Sequence, residues 1–481
     1  MDLTQLAAAT PTGAVTGEMA FGDLNALRKA LEAGYGTDVA GLTGGGALRF
    51  QSLDTTLQAT LADNNHFRLF NALPKSDAGA TVDEWTEATD QGGFAGGSAN
   101  GELDAINQAQ GVYARRAAFV KYLMTRCEVS FVQTLQNAIV QAEAIENQMG
   151  TLRLLRDVEH LSFEGDSSVV SSEFDGLYAQ IASLNSTDHV LDAEAASLAH
   201  IDLVNKAAAT IVGVGNFGVP TDIFMSPLVQ SDFDTGLDPA FRVSLSNTGQ
   251  DIMLGAPVRG IRTSWGDIKA NPDVFIRDEA QQTPFAVRYA SVAAANAANV
   301  SAGVTGTAAS DVASKFGAAH AGNYYYAVAG VSKAGESTLA ISSQKAVAAG
   351  EKLTLTIQPS AAGTETGYAI YRSAKNGGYA ATDFRLMTRV ARATSGNTTY
   401  VDLNRDIPGT SKAYILNLSP GHHAITWRKL LPLTKFALYP TTAAVVPWAL
   451  LMFGFLRVSK RRQNVVIKNI LPTGATFRPF G

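Results

Sequence analysis

A single apolar stripe at helical spacing begins at Phe131 and limits the folds that this chain can adopt. The stripe continues through Leu135, Ala138, Ile139, Ala142, Ile145, Met149, Leu152 and Leu155. Residues three and four apart lie on one face of an α-helix, and a helix over about 130–158 would be roughly 42 Å long at about 1.5 Å per residue. Gly150 lies inside the pattern, where it weakens or bends the helix. The pattern predicts a spine helix that lies across a sheet.

Composition excludes several classes of protein. Charged residues make up 17% of the chain, below the usual share of about 25%, and this argues against a disordered or coiled-coil protein. The formal net charge of −5 gives no overall basic field to hold nucleic acid. The single cysteine, Cys127, excludes a disulfide framework and a multi-cysteine metal site. Residues 1–20 have neither a basic start nor an apolar stretch, so we expect no targeting segment there.

An acidic, glycine-rich stretch over 71–112 precedes the helical stripe. Its only basic residue is Lys75, and its acidic residues are Asp77, Asp83, Glu84, Glu87, Asp90, Glu102 and Asp104. With five glycines between positions 92 and 101, this composition favours a long, solvated hairpin over a packed domain. Residues 110–126 then alternate like a strand and carry four basic side chains.

The acidic hairpin is a candidate interface. We expect it to lie over a neighbouring subunit through Asp83, Glu84, Glu87 and Asp90, because interfaces pair opposite charges. The candidate basic partners are Arg115, Arg116, Lys121, Arg126, Arg457, Lys460, Arg461 and Arg462. A solvated hairpin and a solvated strand end at 457–462 are the plain alternatives. Cation binding is disfavoured because the calcium-loop spacing is missing, and nucleic-acid contact because no aromatic residue is interleaved.

The chemistry-bearing patterns predict no catalytic site, cofactor or metal. The segment 213–218 matches GxGxxG, but a helical pattern precedes it and a strand follows, the reverse of a dinucleotide-binding context, so we expect a turn. The seven histidines are scattered, and the adjacent pair His422 and His423 would point to opposite faces of a strand. Cys127 lies among apolar residues, which favours a buried, inert thiol.

A third region, 284–412, is rich in Ala, Ser, Thr, Gly and Tyr and has period-two strands. The predicted strands are 324–331, 352–357, 367–373, 385–391 and 398–403, spaced as in a small all-β sandwich. Long apolar strands resume after it. The body of the fold is therefore expected to be interrupted by an inserted domain. We also predict strands at 251–277, including DVFI at 273–276, a helix at 200–211, and a buried strand pair in the apolar run 445–456.

The order of these segments resembles the HK97-fold major capsid protein of tailed double-stranded DNA bacteriophages. The resemblance rests on this architecture and on two short phrases, LSFEGDSS…FDGL (161–177) and DIFMSP (222–227), with the closing LRVSKRRQNVVIKNILP (456–472). It covers 60–283 and 413–481. The insert resembles an immunoglobulin-like or fibronectin type III module through TGYAIYRS (366–373) and YVDLNRDIPGT (400–410).

The resemblance implies an α+β fold with a fixed order of regions. These are an N-terminal arm (1–60), an E-loop with flanking strands (61–112), a P-domain with the spine helix at about 130–158 (113–199), the first part of an A-domain (200–283), the inserted β-sandwich (284–412), and the rest of the A-domain with returning P-domain strands (413–481).

The implied function is structural. Copies of the chain would form hexamers and pentamers of an icosahedral phage head around double-stranded DNA, with no sequence-specific DNA contact and no membrane. The implied partners are a separate scaffolding protein and a portal during assembly, with decoration or cement proteins as further candidates. The chain would be assembled in the host cytoplasm and end in the virion, with the insert projecting outward.

Two other functions stay open at the level of sequence. One is a secreted or surface adhesin that binds glycans through the inserted module, which the missing signal segment and lone cysteine disfavour. The other is a polysaccharide-acting enzyme with an accessory module, which would need a carboxylate pair in a cleft.

Overall fold

The computed structural model describes residues 66–93, 98–106, 108, 110–135, 142–199, 201–236, 258–288, 303–361, 363–440 and 443–481. The predicted arm over 1–60 lies outside the described residues. The helices are α1 Arg68–Ala72, α2 Phe131–Leu135, α3 Ala142–Glu164, α4 Leu177–Ala182, α5 Asp202–Val212, α6 Pro227–Gly236 and α7 Phe285–Arg288.

Twenty-two strands complete the described part of the chain. The first eight are β1 Lys75–Asp77, β2 Val82–Asp90, β3 Val112–Phe119, β4 Lys121–Ser130, β5 Val190–Asp192, β6 Asp222–Met225, β7 Gly260–Thr263 and β8 Gly266–Pro272. The next ten are β9 Gly303–Ser310, β10 Gly322–Tyr324, β11 Tyr326–Ser332, β12 Gly335–Glu336, β13 Ala340–Ile341, β14 Lys345–Val347, β15 Glu351–Gln358, β16 Gly367–Ser373, β17 Phe384–Ala391 and β18 Thr398–Asp402. The last four are β19 Ser411–Leu416, β20 Ile425–Ala437, β21 Val445–Val458 and β22 Val465–Ile470.

Of the spine helix predicted over about 130–158, residues 136–141 lie outside the described residues, and α2 and α3 are the described helices. Helix α3 packs on a four-stranded sheet with the order β1-β20-β21-β4. Leu154 and Val158 of α3 share a hydrophobic cluster with Trp427, Met452 and Phe455 of the sheet. At Gly150 the two layers approach so closely that a Cβ atom would lie 2.6 Å from the Cys127 sulfur. Glycine is therefore needed there for packing, which is a different reason from the bend that the sequence suggests.

A second, six-stranded sheet has the order β5-β22-β19-β6-β8-β7. Helix α5 places Val204 and Ile211, and α6 places Val229, in one cluster with Ile223 and Ile467 of this sheet. The strands come from both sides of the predicted insert, since β6 precedes it and β19 and β22 follow it. The sheet therefore joins segments that are distant in sequence.

The acidic stretch forms a two-stranded antiparallel hairpin, as predicted. Strands β2 and β3 pair from Val82 opposite Phe119 to Asp90 opposite Val112. No other strand of the described residues joins this pair. The return strand ends at Phe119, seven residues beyond the predicted end of the E-loop segment.

The region 303–402 is a β-sandwich. One sheet has the order β18-β15-β9, and the other has the order β12-β11-β16-β17 with β13 beside β11. Leu353 and Leu355 from the first sheet meet Tyr326, Tyr368 and Ile370 from the second in one buried cluster. All five strands that the sequence predicts in this region are present, within one or two residues of the expected bounds except at the first, where two strands flank Tyr325.

The mixed α+β class is confirmed, and three local predictions are wrong. Helix α3 continues to Glu164 rather than ending at 158, because Phe163 is fully buried and extends the apolar face. Residues 273–276 form a turn, since the Asp273 carboxylate accepts the Phe275 N–H at 2.9 Å. The apolar run 445–456 is a single strand, β21, which pairs with β20 on one side and β4 on the other.

Two further sequence predictions are confirmed. The GxGxxG segment is a turn after α5, with Gly215 at φ 91° and Phe217 at φ 47°. The Cys127 thiol is buried, and burial raises its pKa. In the part of the chain that the structure describes, no helix is long and apolar enough to cross a membrane.

Candidate functional site

The hairpin β2–β3 has two unlike faces because neighbouring residues of a strand point in opposite directions. Asp83, Trp85 and Glu87 lie on the inner face, against the body, and each is at least partly buried. Val82 and Glu84 lie on the outer face and are exposed. The candidate residues of the acidic stretch therefore divide into two groups with different surroundings.

Asp83 on the inner face is held by two arginines of the body. Its two carboxylate oxygens accept hydrogen bonds from Nε and a terminal nitrogen of Arg428, both at 3.1 Å. Arg457 donates a further bond to it at 3.1 Å. Bidentate, charge-assisted contacts of this kind are the strong ones among ion pairs. Arg428 lies on β20 and Arg457 on β21, so the pair of arginines ties the hairpin to the four-stranded sheet.

Glu87 and Thr89 make the next contacts along the inner face. Arg461 approaches Glu87 at 3.0 Å and Arg116, from the return strand, at 3.4 Å. Arg462 donates to the Thr89 carbonyl oxygen at 2.9 Å. The Arg457 guanidinium also lies 5.7 Å from the centre of the Trp85 ring, within the range of a cation–π contact. Four predicted basic residues thus meet the acidic hairpin inside the same chain.

The outer face carries a single ion pair between apolar side chains. Glu84 pairs with Arg115 across the hairpin, and their side chains are 44% and 74% exposed. Val82 and Phe119 lie on one side of the pair and Tyr113 on the other, and all three are exposed. This face combines opposite charges with uncovered apolar area.

The remaining candidate residues have local roles. Asp90 accepts the Gly92 N–H at 3.0 Å where the chain enters the hairpin tip. Lys121 donates to the Ser171 carbonyl oxygen at 2.6 Å, and Arg126 pairs with Glu128 on its own strand at 2.7 Å. Lys460 is exposed, and its backbone N–H reaches the Ala424 carbonyl oxygen at 3.3 Å.

The sequence analysis missed Arg428, which makes the most extensive contact with the acidic hairpin. It follows the buried Trp427 on β20, so alternation along the strand turns it toward the hairpin. The alternation along β20 can be read from the sequence, but the position of the hairpin beside it cannot. The predicted contacts to a neighbouring subunit stay a prediction, since the pairs described above lie within one chain.

A cavity of about 720 Å³ lies beside the inner face of the hairpin, lined also by the body and by β17. Lys412 contacts both carboxylate oxygens of Glu164 in its wall, at 2.7 and 2.9 Å. Burial alone would raise the pKa of Glu164, but Lys412 and Arg277 outweigh it and lower that pKa to about 2. Arg389 of β17 binds both oxygens of Glu173 in the same way, at 3.0 and 3.1 Å. Each of these ion pairs balances its own charges, and the Arg389–Glu173 pair joins the sandwich to the body.

The described residues hold no group of three or more His, Cys, Asp or Glu side chains that could bind a metal ion. The predicted absence of catalysis and of cofactors stays a prediction. One face of the hairpin is joined to the body by ion pairs, and the other face is exposed. An exposed face that combines apolar and charged side chains is suited to contact with another protein.

Comparison with known proteins finds similarity to a protein that is named as a phage capsid protein. No protein-family model matches the chain. A protein of Enterococcus phage phiEF24C, named "Putative major capsid protein", is 26% identical over 473 residues, which cover 93% of this chain and 96% of that protein. Among solved structures, the capsid of a native GTA particle matches at 9% identity and a TM-score of 0.45, covering 90% of this chain and 99% of that one. A structure from Mycobacterium phage Ogopogo matches at 10% identity and a TM-score of 0.44, covering 89% and 98%.

These comparisons give no support to an adhesin. The similarity to the Enterococcus phage protein extends over almost the whole of both chains and agrees with the resemblance to a phage major capsid protein that the sequence suggests.

Proposed function

We propose that copies of this chain assemble as hexamers and pentamers into the icosahedral shell of a phage head that encloses double-stranded DNA. The observation that carries this proposal is the outer face of the hairpin β2–β3. A two-stranded ribbon is marginally stable alone, and here only one of its faces is covered. The uncovered face presents Phe119 at 63% exposure and Tyr113 at 71%, and we expect a neighbouring subunit to cover it.

The regional roles follow from this proposal. The hairpin would act as the E-loop, α3 with the four-stranded sheet as the P-domain, and the six-stranded sheet as part of the A-domain. The β-sandwich would be an immunoglobulin-like domain on the outer surface. The Arg428 and Arg457 contacts to Asp83 would then set the direction in which the hairpin leaves its own subunit.

A separate scaffolding protein and a portal would act during assembly, and decoration or cement proteins are further candidate partners. The external scaffold is an expectation that follows from the resemblance described above. The proposed partners can be tested by adding each one to the purified chain.

The experiment is sedimentation and negative-stain microscopy of the full-length chain, with and without a candidate scaffolding protein. We expect shells, or rings of five and six subunits, for the wild type. Phe119→Asp should abolish them because it places a charge in the proposed contact while leaving the folded subunit intact. The matched control is Val312→Asp, at an exposed position of the sandwich, which should assemble normally. Normal particles from Phe119→Asp would contradict the proposal.

A further inference from the structure

Two carboxyl groups lie in contact in the interior of the body, away from the hairpin. Glu159 is on α3, and Asp273 follows β8. Both residues are 0% exposed, and their side chains are hydrogen-bonded to each other. Neither takes part in the ion pairs described above. Two buried acidic groups without a basic partner between them call for a physical explanation.

The pair holds residues 67–70, close to the start of the described part of the chain. The two Glu159 oxygens accept the backbone N–H groups of Leu69 and Phe70, at 2.7 and 2.9 Å, in the first turn of α1. Asp273 accepts the Phe275 N–H through one oxygen, and the Phe275 ring stacks on Phe67 at 5.4 Å. Residues 67–70 are therefore gripped from both sides by the carboxyl pair and its neighbours.

The hydrogen-bond count requires a proton between the two groups. Glu159 uses both oxygens to accept backbone N–H groups, and the second oxygen of Asp273 is buried without a donor. Two ionised carboxylates in contact at a buried site repel each other, whereas one shared proton supplies the missing donor. Burial, followed by the neighbouring carboxyl group, raises the pKa of Glu159, and burial raises the pKa of Asp273.

The charged groups around the pair either act on its pKa or keep one charge state near neutral pH. Arg68 on α1 acts on Asp273 in the opposite direction to burial. On α3, burial and Arg277 lower the pKa of His160 to about 3, so its ring is neutral in this range. Glu164, with its pKa near 2, is ionised throughout. Neither of these neighbours changes charge between pH 5 and pH 9.

We propose that Glu159 and Asp273 share one proton and form an acid-tightened latch that fastens residues 67–70 to the body. The closed latch keeps a proton that the open latch releases, because an open, solvated carboxyl group has a pKa of about 4. Stability of the closed latch is therefore full below that pKa. It falls as pH rises, by about tenfold in the opening equilibrium per pH unit, until the pH reaches the raised pKa of the pair.

The test is amide hydrogen exchange of the unassembled full-length chain between pH 5 and pH 7, with rates corrected for intrinsic exchange. The protection factor of residues 67–73 in the wild type should fall by about 100-fold over these two pH units, since one proton is linked to opening. Protection of β22 in the neighbouring sheet should change little. The latch lies within one chain, so this result does not depend on shell formation.

The decisive variant is Asp273→Asn. The new amide can accept the Phe275 N–H through its oxygen and donate through its nitrogen to an ionised Glu159, so the contacts persist without a titrating proton. Its protection factor should change by less than about threefold over the same range. Asp278→Asn is the matched control, because Asp278 caps the Ala280 and Gln281 N–H groups at 3.1 and 3.2 Å but is not part of a buried pair. It should keep the wild-type dependence.

Equal pH dependence in the wild type and in Asp273→Asn would overturn the proposal. If Asp273→Asn does not fold, Glu159→Gln replaces it and should likewise flatten the dependence. A flat protection factor in the wild type alone would overturn the proposal without any variant.

Discussion

The hairpin and the β-sandwich are both built from antiparallel strands, yet only the sandwich encloses a core. Its two sheets bury Tyr326, Tyr368 and Leu355 between them, so both inner faces are covered within the chain. The hairpin is one layer with one face on the body and the other exposed. Stable domains need two packed layers. We therefore expect the hairpin to be the region whose stability depends most on contact with a neighbouring subunit.

The ion pairs of the two regions also differ in how deeply they are buried. In the sandwich, Arg372 and Asp402 form a 2.7 Å ion pair with neither side chain exposed. Tyr326 donates to the same carboxylate at 2.8 Å. On the hairpin, the inner contact of Asp83 is partly buried and the outer pair of Glu84 is open to solvent. The predictions below follow this gradient of burial from the sandwich to the outer face.

Removing the whole sandwich is expected to have the largest effect. The ends of the insert lie together, since Gln282 accepts the Gly409 N–H at 2.7 Å and donates to the Thr410 carbonyl oxygen. A short Gly-Ser linker in place of 286–410 should therefore leave the body folded. It should be less stable, because Val169 and Val170 of the body pack on the sandwich, and burial of each valine is worth about 1.5 to 3 kcal/mol.

The measurement is thermal unfolding with circular dichroism and exchange protection of α3 and β22. A lower melting temperature with those segments still protected is the expected outcome. An insoluble chain without protected segments would show that the sandwich is part of the folding core of the body.

Within the sandwich, Arg372→Ala should cost about 3 to 5 kcal/mol, because it leaves Asp402 buried and unpaired. The matched control is Lys352→Ala, which removes a partly exposed pair with Asp311 and should cost at most about 1 kcal/mol. Urea unfolding, followed by exchange of β11 and β16, separates the two. Equal losses of stability would mean that burial does not decide the contribution of ion pairs in this domain.

The sequence predicts this gradient only in part. The sandwich strands and the hairpin follow from period-two alternation and glycine-rich turns, which are local signals. The long helix follows from its apolar stripe, but its end does not. Phe163 extends the buried face past polar residues, and the helix stops where Gly165 and Gly176 meet closely, with the Gly176 N–H bonded to the Gly165 carbonyl oxygen at 2.9 Å.

The failures share a cause, which is contact between distant segments. DVFI at 273–276 has strand-forming residues, yet Asp273 binds Phe275 and lies against Glu159 on α3. The sequence identifies the acidic and basic residues of the candidate interface by their charge, but it cannot say which carboxylates face inward. That division depends on the register of β2 with β3 and on the position of Arg428.

On the inner face, Asp83→Ala should loosen the hairpin by about 1.5 to 3 kcal/mol, since it removes charge-assisted hydrogen bonds and leaves two half-buried arginines unpaired. Exchange protection of β2 and β3 should fall while that of the four-stranded sheet stays. Asp77→Ala is the control, because its pair with Lys429 is exposed. Unchanged protection of β2 in Asp83→Ala would show that the inner contacts do not hold the hairpin.

On the outer face, Glu84→Arg should change the stability of the subunit by less than about 1 kcal/mol, because its pair is solvent-exposed. It should nevertheless block assembly by reversing a charge in the proposed contact. Reversal at Glu87 would mix the two effects, since Glu87 is also held by Arg461 inside the chain.

The double exchange Glu84→Arg with Arg115→Glu restores a pair across the hairpin but presents reversed charges to a neighbour. Sedimentation should show a folded subunit without shells for both variants. Shells from the double exchange alone would mean that the pair acts within the hairpin, and shells from Glu84→Arg would mean that this face binds no neighbour.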